Sequence, residues 1–459
     1  MPIARRAGSW LLPFMILGCG GGSGGGGSGG NGGDGDAGLG PDGGGGGAGG
    51  TGGSGSSDAA REATGGGPSD GPTTETDVGG AGDADLDRAI GTDGAAEITP
   101  PDSGGSGGAD GSDSGGGGGD GPAPAAGDPF VYVGSPGETR IFRLDMATGM
   151  LAPRGMSEGS GYMAADPTRR YVYGIARPNM MTRINAFRMN PANGALTKIN
   201  DAVIPNVDGP THVWVHPSAG WLFAAHYQSG HASVLPLMPD GGVGAPSDVK
   251  MAGTNAHFIM SDPSGKFVLV PCLEGFVAQY TFNSGTGKLA ANSPATAAVA
   301  SARHMDLHPS QRFAYVIGEG NSRMTSMLYD AATGKLSQPM GLSTLPNGGG
   351  NNSGAHVAVH PSGKFVYGSN RGHDSIVIFS VNETTGRLTL VGHETDGGLN
   401  TPWDFAIDTT GKYMVVINAG SGAAISYAIN PSNGTLTRKD TAMTPMGRPA
   451  HARVFYPPS

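Results

Sequence analysis

Cysteine is almost absent from this chain of 459 residues, in which only Cys19 and Cys272 occur. A disulfide framework is therefore not expected, and metal or haem sites that need paired cysteines are excluded. Long apolar runs are also scarce, and the run Trp10–Leu17 near the N-terminus is far too short to span a bilayer. No block of Lys and Arg follows residue 128, so nucleic acid is not an expected partner.

Large side chains are nearly missing from residues 20–127, which consist almost entirely of Gly, Ser, Asp, Ala, Thr and Pro. Such a segment cannot bury enough apolar surface to offset its ordering entropy, so we predict a disordered, Gly-rich stalk. It carries 17 Asp or Glu against two Arg, whereas the residues from 128 onward are mildly basic. Composition thus predicts a signal peptide over residues 1–19, a linker over 20–127 and one globular domain over 128–459.

The N-terminus has the pattern of an export signal, because Arg5 and Arg6 precede the apolar run and Cys19 follows a glycine. This end resembles a bacterial lipobox, although Leu17 stands where Ala or Ser is usual. We expect lipidation of Cys19 and a place in the bacterial cell envelope, facing the periplasm or the exterior. The membrane would then be contacted only through the lipid anchor. The alternative is an ordinary secretory signal that is cut elsewhere and gives a secreted protein.

A strand–turn–strand pattern returns six times in the globular region. An apolar strand ends at His-Pro or Asp-Pro, a turn follows, and the second strand mostly begins with an aromatic residue. The turn positions are spaced by 50, 46, 46, 52 and 48 residues, at Pro167, Pro217, Pro263, Pro309, Pro361 and Thr409. A third strand and a turn of the type N-x-x-x-G-x-L complete the clearest units, as in "FSVNETTGRLT". Four short strands per repeat, without helical periodicity, predict an all-β fold of the β-propeller type.

Two incomplete fragments supply a seventh blade. "GRPAHARVF" (447–455) has the pattern of an inner strand with no outer strands after it. "PFVYVGSPGETRIFRLD" (129–145) has the pattern of outer strands with no inner strand before them. We therefore predict a seven-bladed β-propeller whose closing blade is shared by both ends of the domain, which removes the open edges of the ring.

The region from about Phe130 to Phe455 resembles the seven-bladed propeller lactonases, which include bacterial 6-phosphogluconolactonases of propeller type and fungal carboxy-muconate cyclases. The segments that carry the resemblance are "FVYVGSP", "GPTHVWVHPSAGWLFAAHYQSGHASVLPL", "NAHFIMSDPSGKFVLVP", "ARHMDLHPSQRFAYVIGEG", "SNRGHDSIVIFSV" and "TPWDFAID". The resemblance implies a hydrolase of carbohydrate metabolism that opens a small-molecule lactone. No cofactor is expected, and we expect a monomer.

Ionisable side chains concentrate at the two positions five and six residues before the turn proline. They are His212, His257, Arg303, His304, His356 and Asp404. Such histidines could simply hydrogen-bond to neighbouring loops. Glu319 and Arg371 each follow an apolar strand, where a charged side chain usually pairs or reaches solvent.

The resemblance to the muconate cyclases implies a catalytic group of four residues, namely His257, Arg303, Glu319 and Arg371. Substrate binding is assigned to His304, His356 and Asp404. Glu319 or His257 could take a proton from water, while an arginine could stabilise the oxyanion or bind an anionic substrate group. No metal is required by this set.

Two departures from the phosphogluconolactonase pattern bear on the substrate. Trp403 stands where Arg is usual, and Cys272 stands where Asp is common. Fewer anion-binding groups favour a sugar-derived or other small carboxylate-bearing lactone without phosphate. The competing interpretation is a non-catalytic exported propeller that binds a glycan, a peptide or an envelope protein. A haem or quinone enzyme is disfavoured, because the cysteines for haem attachment are absent.

Overall fold

Every regular element in the described part of the chain is a β-strand. The computed structural model describes residues 127–135, 137–176, 181–346, 350–395, 398–444 and 448–458. Cys19, the predicted signal peptide and residues 20–126 of the predicted stalk lie outside these ranges, so their assignments stay predictions. Within the described ranges, no helix has the length and apolar character needed to cross a membrane.

The strands form seven sheets of four strands each, which are the blades of the predicted seven-bladed propeller. The fold prediction is therefore confirmed. In chain order the strands are β1 Phe130–Ser135, β2 Glu138–Leu144, β3 Leu151–Glu158, β4 Met163–Ala165, β5 Tyr171–Ala176, β6 Arg183–Met189, β7 Leu196–Val203, β8 Pro210–Val215, β9 Trp221–His226, β10 His231–Pro236, β11 Asp248–Met251, β12 Met260–Ser261, β13 Phe267–Cys272, β14 Phe276–Asn283, β15 Lys288–Ala298, β16 Ala302–Leu307, β17 Phe313–Gly318, β18 Arg323–Asp330, β19 Lys335–Ser343, β20 Ser353–Val359, β21 Phe365–Arg371, β22 Ser375–Val381, β23 Leu388–Glu394, β24 Pro402–Ile407, β25 Tyr413–Asn418, β26 Ala423–Ile429, β27 Leu436–Met443 and β28 His451–Phe455. Each of the sheets β4–β7, β8–β11, β12–β15, β16–β19, β20–β23 and β24–β27 is one continuous stretch of chain.

The seventh sheet has the order β28-β1-β2-β3, so the last strand of the domain pairs with its first. The pairing is antiparallel, with Phe130 opposite Phe455 and Gly134 opposite His451. This blade is assembled from the two sequence fragments that each lacked part of a blade.

Burial changes from strand to strand across each blade. The second strands β13, β17 and β25 are buried at every residue, which explains their continuous apolar sequences. The outermost strand β15 is exposed at most positions and β27 at half of its positions, and their sequences are correspondingly polar. The core therefore lies between neighbouring blades and around their second strands.

The repeated aromatic residue and the repeated glycine lock neighbouring blades together. Phe313 begins β17 and packs against Gly386 in the turn of the next blade, where φ is 71°. A Cβ atom at Gly386 would lie 2.3 Å from Phe313 Cδ1, so only glycine fits. The hydroxyl of Tyr315 donates a hydrogen bond to the Gly386 carbonyl at 3.2 Å. These motifs therefore serve the fold and not the chemistry.

Several inner strands contain a β-bulge close to their first residue. The register shifts between Pro210 and His212 in β8, between Ala302 and His304 in β16, and between Pro402 and Asp404 in β24. A bulge sets two residues of one strand against one of its partner, which re-aims the side chains there. The inserted residue is Arg303 in β16 and Trp403 in β24, and both belong to the site described next.

Candidate active site

The carboxylate of Glu319 lies between two guanidinium groups. Its Oε1 accepts a hydrogen bond from Arg371 Nη2 at 3.1 Å, and its Oε2 lies 3.4 Å from Arg303 Nε. All three residues are buried, with relative exposures of 6% for Glu319, 4% for Arg371 and 0% for Arg303. Buried charges are tolerated only when they are paired, and this cluster pairs one anion with two cations.

Backbone contacts between two blades hold this cluster in place. Glu319 directly follows β17, its N–H donates to the Ser301 carbonyl at 2.9 Å, and its own carbonyl accepts from Gly354 N at 2.9 Å. Arg371 is the last residue of β21, and its Nη2 also donates to Ser353 Oγ and the Gly354 carbonyl. The charged residues that follow buried strands therefore pair with each other across the blade boundary.

Trp403 packs against both arginines. The Cζ atom of Arg371 lies 4.2 Å from the centroid of the Trp403 ring, and that of Arg303 lies 5.6 Å from it. The indole is 1% exposed. From the sequence, Trp403 signified only a missing arginine. In the structure it forms an aromatic surface for the two arginines that are present, through cation–π contacts.

Three histidine side chains, those of His257, His304 and His356, form a chain of contacts that begins at Arg303. His304 Nε2 lies 3.3 Å from Arg303 Nη1 and 3.2 Å from His257 Nδ1. The other nitrogen of the His304 imidazole, Nδ1, lies 2.8 Å from His356 Nδ1. The relative exposure of His304 and His257 is 0%, and that of His356 is 7%. His304 is therefore joined to two further histidines and to one arginine.

Asp404 ends this chain of contacts. Its Oδ2 accepts hydrogen bonds from His451 Nδ1 at 2.7 Å, from Ala452 N at 3.0 Å and from Arg453 Nη1 at 3.3 Å. Its Oδ1 lies 3.2 Å from His356 Nδ1. Among the described residues, no donor makes a hydrogen bond of good geometry to this Oδ1.

The buried imidazoles of His304, His356 and His451 are neutral at neutral pH, because burial lowers their pKa values. Burial lowers the pKa of His304 well below its usual range, and the neighbouring charge of Arg303 lowers this pKa further. Burial lowers the pKa of His356 to about 4 and that of His451 to about 4, although Asp404 opposes both shifts. Burial alone would raise the pKa of Asp404, but His356, Arg453 and His451 together hold this pKa below its usual range.

The structure brings the four predicted catalytic residues together from three blades. His257 precedes β12, Arg303 lies in β16, Glu319 follows β17 and Arg371 ends β21. Of the residues assigned to substrate binding, His304 and His356 touch this group directly or through each other. Asp404 is 0% exposed, and its Oδ2 is bound by protein groups, so its direct contact with a substrate stays a prediction.

His451 and Arg453 are part of the network, but the sequence search did not select them. His451 occupies in "AHARVF" the place that His356 occupies in "AHVAVH". A search keyed to the turn proline misses this inner strand, because no His-Pro turn follows it. Aligning all seven inner strands on their apolar alternation would have found His451. His212, by contrast, makes a separate branch, with Nδ1 3.0 Å from the Ile259 carbonyl and Nε2 3.4 Å from Arg453.

Cys272, the other departure from the family pattern, has no chemistry in this site. It ends β13, it is fully buried, and its thiol contacts the Val270 carbonyl at 3.5 Å. Burial raises the pKa of the thiol to about 12, which keeps it protonated.

Comparisons with known proteins agree with this architecture. Residues 130–452 match the family model described as lactonase, 7-bladed beta-propeller. The 6-phosphogluconolactonase of Pectobacterium atrosepticum is 32% identical over 273 residues, which cover 58% of this chain and 80% of that protein. The 6-phosphogluconolactonase of Bacillus subtilis is 30% identical over 244 residues, which cover 50% of this chain and 69% of that protein.

A solved structure shows the same fold. The periplasmic gluconolactonase of Pseudomonas aeruginosa superposes with a TM-score of 0.66 at 23% identity, and the match covers 72% of this chain and 99% of that one. The chain therefore belongs to the seven-bladed β-propeller lactonases, the family that its sequence predicted.

Proposed function

We propose that this lactonase hydrolyses a sugar-derived or other small carboxylate-bearing lactone at the cluster of Arg303, Glu319 and Arg371. The observation that carries the proposal is a buried carboxylate between two guanidinium groups, next to imidazoles that are neutral at neutral pH. Lactone hydrolysis needs these two elements, cationic donors for a developing oxyanion and a neutral base for water. The relatives named 6-phosphogluconolactonase support a sugar-derived substrate.

In this proposal the base is His257 and not Glu319. Both oxygens of Glu319 face guanidinium groups, which favour the ionised carboxylate and weaken it as a proton acceptor. Glu319 then holds Arg303 and Arg371 in fixed positions, which is the preorganisation that oxyanion stabilisation requires. His257 Nδ1 lies 3.2 Å from His304 Nε2, and an imidazole suits proton transfer near neutral pH.

The reaction follows from these roles. The water oxygen attacks the lactone carbonyl carbon while its proton passes to His257, and the guanidinium groups stabilise the resulting oxyanion. The tetrahedral intermediate collapses by breaking the bond to the ring oxygen, which takes the proton and leaves as a hydroxyl group. The product is an open-chain hydroxy acid, which releases its proton to the solvent.

Hydrolysis of a lactone panel by the purified full chain tests the proposal. Acid release is followed in a pH-stat with glucono-1,5-lactone, its 6-phosphate made in situ, and a simple aliphatic δ-lactone, each corrected for spontaneous opening. We expect turnover of the unphosphorylated sugar lactone to exceed that of the phosphate ester, because Trp403 adds an aromatic surface and no cation at the site. Turnover of no lactone at all would leave the non-catalytic binding propeller as the better account.

The proposed location is the bacterial cell envelope, with the chain anchored through a lipid on Cys19. The arginine pair, the short apolar run and the cysteine before a glycine-rich segment support this proposal. We expect wild-type protein in the membrane fraction and Cys19→Ala protein outside it. If both proteins were fully soluble after cell fractionation, the anchor would be absent and the secreted alternative would stand.

We also propose that the protein acts as a monomer, because three blades of one chain supply Arg303, Glu319, Arg371 and His257. Light scattering of the detergent-solubilised or anchor-free protein should give the mass of one chain. A stable dimer would contradict this part of the proposal.

A further inference from the structure

The contact between His304 and His356 can hold only one proton. The two Nδ1 atoms lie 2.8 Å apart, which is a hydrogen-bond distance, so one nitrogen must donate and the other must accept. Each neutral imidazole carries a proton on one nitrogen only. The position of this shared proton therefore fixes the tautomers of both rings.

The neighbours of the two rings make opposite demands on that proton. Arg303 Nη1 is a donor that lies 3.3 Å from His304 Nε2, so it favours an unprotonated Nε2 and a proton on His304 Nδ1. Asp404 Oδ1 is an acceptor that lies 3.2 Å from His356 Nδ1, so it favours a proton on His356 Nδ1. Both demands cannot be met in a neutral pair. In the arrangement that satisfies Arg303, His356 Nδ1 donates nothing to Asp404 Oδ1, and no other described residue makes a hydrogen bond of good geometry to this oxygen.

We propose that His257, His304, His356 and Asp404 form a proton relay that carries the proton of the attacking water away from the arginine cluster. This inference rests on the proposed lactone hydrolysis. At the start, His257 Nδ1–H donates to His304 Nε2, and His304 Nδ1–H donates to His356 Nδ1, whose ring carries its own proton on Nε2. All three imidazoles are then neutral, and Asp404 is ionised.

Three proton transfers complete the relay without any other reactant. His257 Nε2 takes the proton from water, directly or through an intervening group, as the water oxygen bonds to the carbonyl carbon. The Nδ1 proton of His257 moves to His304 Nε2, and the Nδ1 proton of His304 moves to His356 Nδ1. His356 becomes an imidazolium next to Asp404 Oδ1, while His257 and His304 are neutral again. The three transfers run in the opposite direction when the bond to the lactone ring oxygen breaks, and this oxygen takes the proton.

The placement of the charges explains why the proton should travel. An imidazolium at His304 would lie beside Arg303, which repels it. At His356 the new charge faces Asp404 Oδ1, the one oxygen of that carboxylate without a hydrogen bond from the described residues. Other charged or titratable groups around His356 are Arg453, His451 and Arg303, which disfavour a proton there, but Arg453 and His451 are already bound to Asp404 Oδ2. Asp404 is thus a positioning residue that acts through His356 and does not touch the substrate.

The variant Asp404→Asn tests this role in the full chain. An amide can donate to the lone pair of His356 Nδ1, but it cannot stabilise an imidazolium there. We expect kcat for lactone hydrolysis to fall by at least about tenfold, with KM changed by less than about twofold. The matched control is Asp408→Asn, which is equally buried on the same blade but binds the backbone N–H of Thr410 at 2.8 Å and the hydroxyl of Tyr456 at 3.0 Å. The control should keep the wild-type kcat.

The proton inventory of the wild-type enzyme is a second test that needs no variant. Rates in mixtures of H₂O and D₂O should give a bowed curve, because several protons move in one step, and the bow should be lost in Asp404→Asn. A linear curve for an active wild-type enzyme, or equal kcat values for Asp404→Asn and Asp408→Asn, would overturn the relay and leave lactone hydrolysis intact. Absence of lactone turnover by the wild type would overturn both proposals. If Asp404→Asn did not fold, the wild-type curve alone would decide.

Discussion

Arg371 lies over the indole of Trp403, with its Cζ atom 4.2 Å from the ring centroid, and the same guanidinium binds Glu319. The planar guanidinium therefore has an aromatic face on one side and a carboxylate at its edge. This combination orders an arginine more strongly than either contact alone, because arginine both stacks and forms directed hydrogen bonds. A preorganised cation of this kind is what a developing oxyanion requires.

Two substitutions of Trp403 should distinguish the contribution of its aromatic ring from that of its indole nitrogen. Trp403→Phe keeps an aromatic face for Arg371, so we expect activity within about tenfold of wild type. Trp403→Ala leaves a buried cavity and should lower the free energy of unfolding by about 3–5 kcal/mol, with a larger loss of activity. Thermal melting and lactone hydrolysis together check both expectations. The control is Trp221→Ala on β9, a half-buried residue in another blade, which should not alter kcat. Equal activity of Trp403→Ala and wild type would contradict the role of the ring.

Arg371→Lys tests whether a cation alone is enough. Lysine keeps the charge but loses the planar group that bonds to Glu319 and stacks on Trp403. We expect kcat/KM to fall at least about a hundredfold in Arg371→Ala and to recover only in part in Arg371→Lys. Arg323→Ala, an exposed arginine whose Nη2 binds the Gly341 carbonyl, is the matched control and should be fully active. Full activity of Arg371→Lys would mean that stacking on Trp403 and the guanidinium hydrogen bond to Glu319 are dispensable.

The fold could be predicted because its signals are local. Alternating apolar strands, His-Pro turns and N-x-x-x-G-x-L turns recur within each unit, and Gly386 shows why the glycine cannot vary. The pairing of Glu319 with Arg371 could also be anticipated, since each follows a fully apolar strand and buried charges pair.

The rest of the site depends on geometry between blades, which the sequence does not encode in any local pattern. Trp403 meets Arg303 and Arg371 only because the β-bulge in β24 and the packing of the blades bring its side chain close to residues of two other blades. The 2.8 Å contact of His304 with His356 likewise joins residues that lie 52 positions apart. Residue types alone suggested polar positions, but not which nitrogen faces which neighbour.

The stability of the domain should fall as pH is lowered from about 6.5 toward 4. Burial lowers the pKa values of five histidines, which are His212, His226, His304, His356 and His451. The unfolded chain binds protons at these groups near pH 6.5, while the folded chain binds them only at lower pH, which is about 4 for His356 and His451. Their contribution to stability is therefore complete above about pH 6.5 and is lost below it.

One buried carboxyl works in the opposite direction, because burial raises the pKa of Asp306 to about 6. Its protonation favours the folded state as the pH falls below 6, but one group does not offset five. Chemical denaturation of the full chain at pH 7, 5.5 and 4.5 measures the net effect, and we expect the free energy of unfolding to decrease at each step. A constant value across this range would show that these histidines are not buried in the neutral form.

Deletion of Pro129–Asp145 tests the closure of the ring. It removes β1 and β2, so that β28 loses the strand with which it pairs. We expect no cooperative unfolding transition, because the blade that joins the two ends can no longer form. Removal of residues 457–459, which follow β28, is the control and should leave the transition in place. An unchanged transition in the larger deletion would contradict the closure.

The most direct test of the account is lactone hydrolysis by the full chain and its Glu319→Gln variant, measured in the same pH-stat assay. Glutamine keeps the shape of the side chain but removes the anion between Arg303 and Arg371. Loss of one partner from a buried ion pair also costs about 3–5 kcal/mol of stability, so circular dichroism must first show that the variant is folded at the assay temperature. We expect turnover by the wild type and a loss of at least about a hundredfold in the folded variant, because Arg303 and Arg371 lose the anion that positions them for the oxyanion. A folded Glu319→Gln variant that opens lactones as fast as the wild type would contradict it.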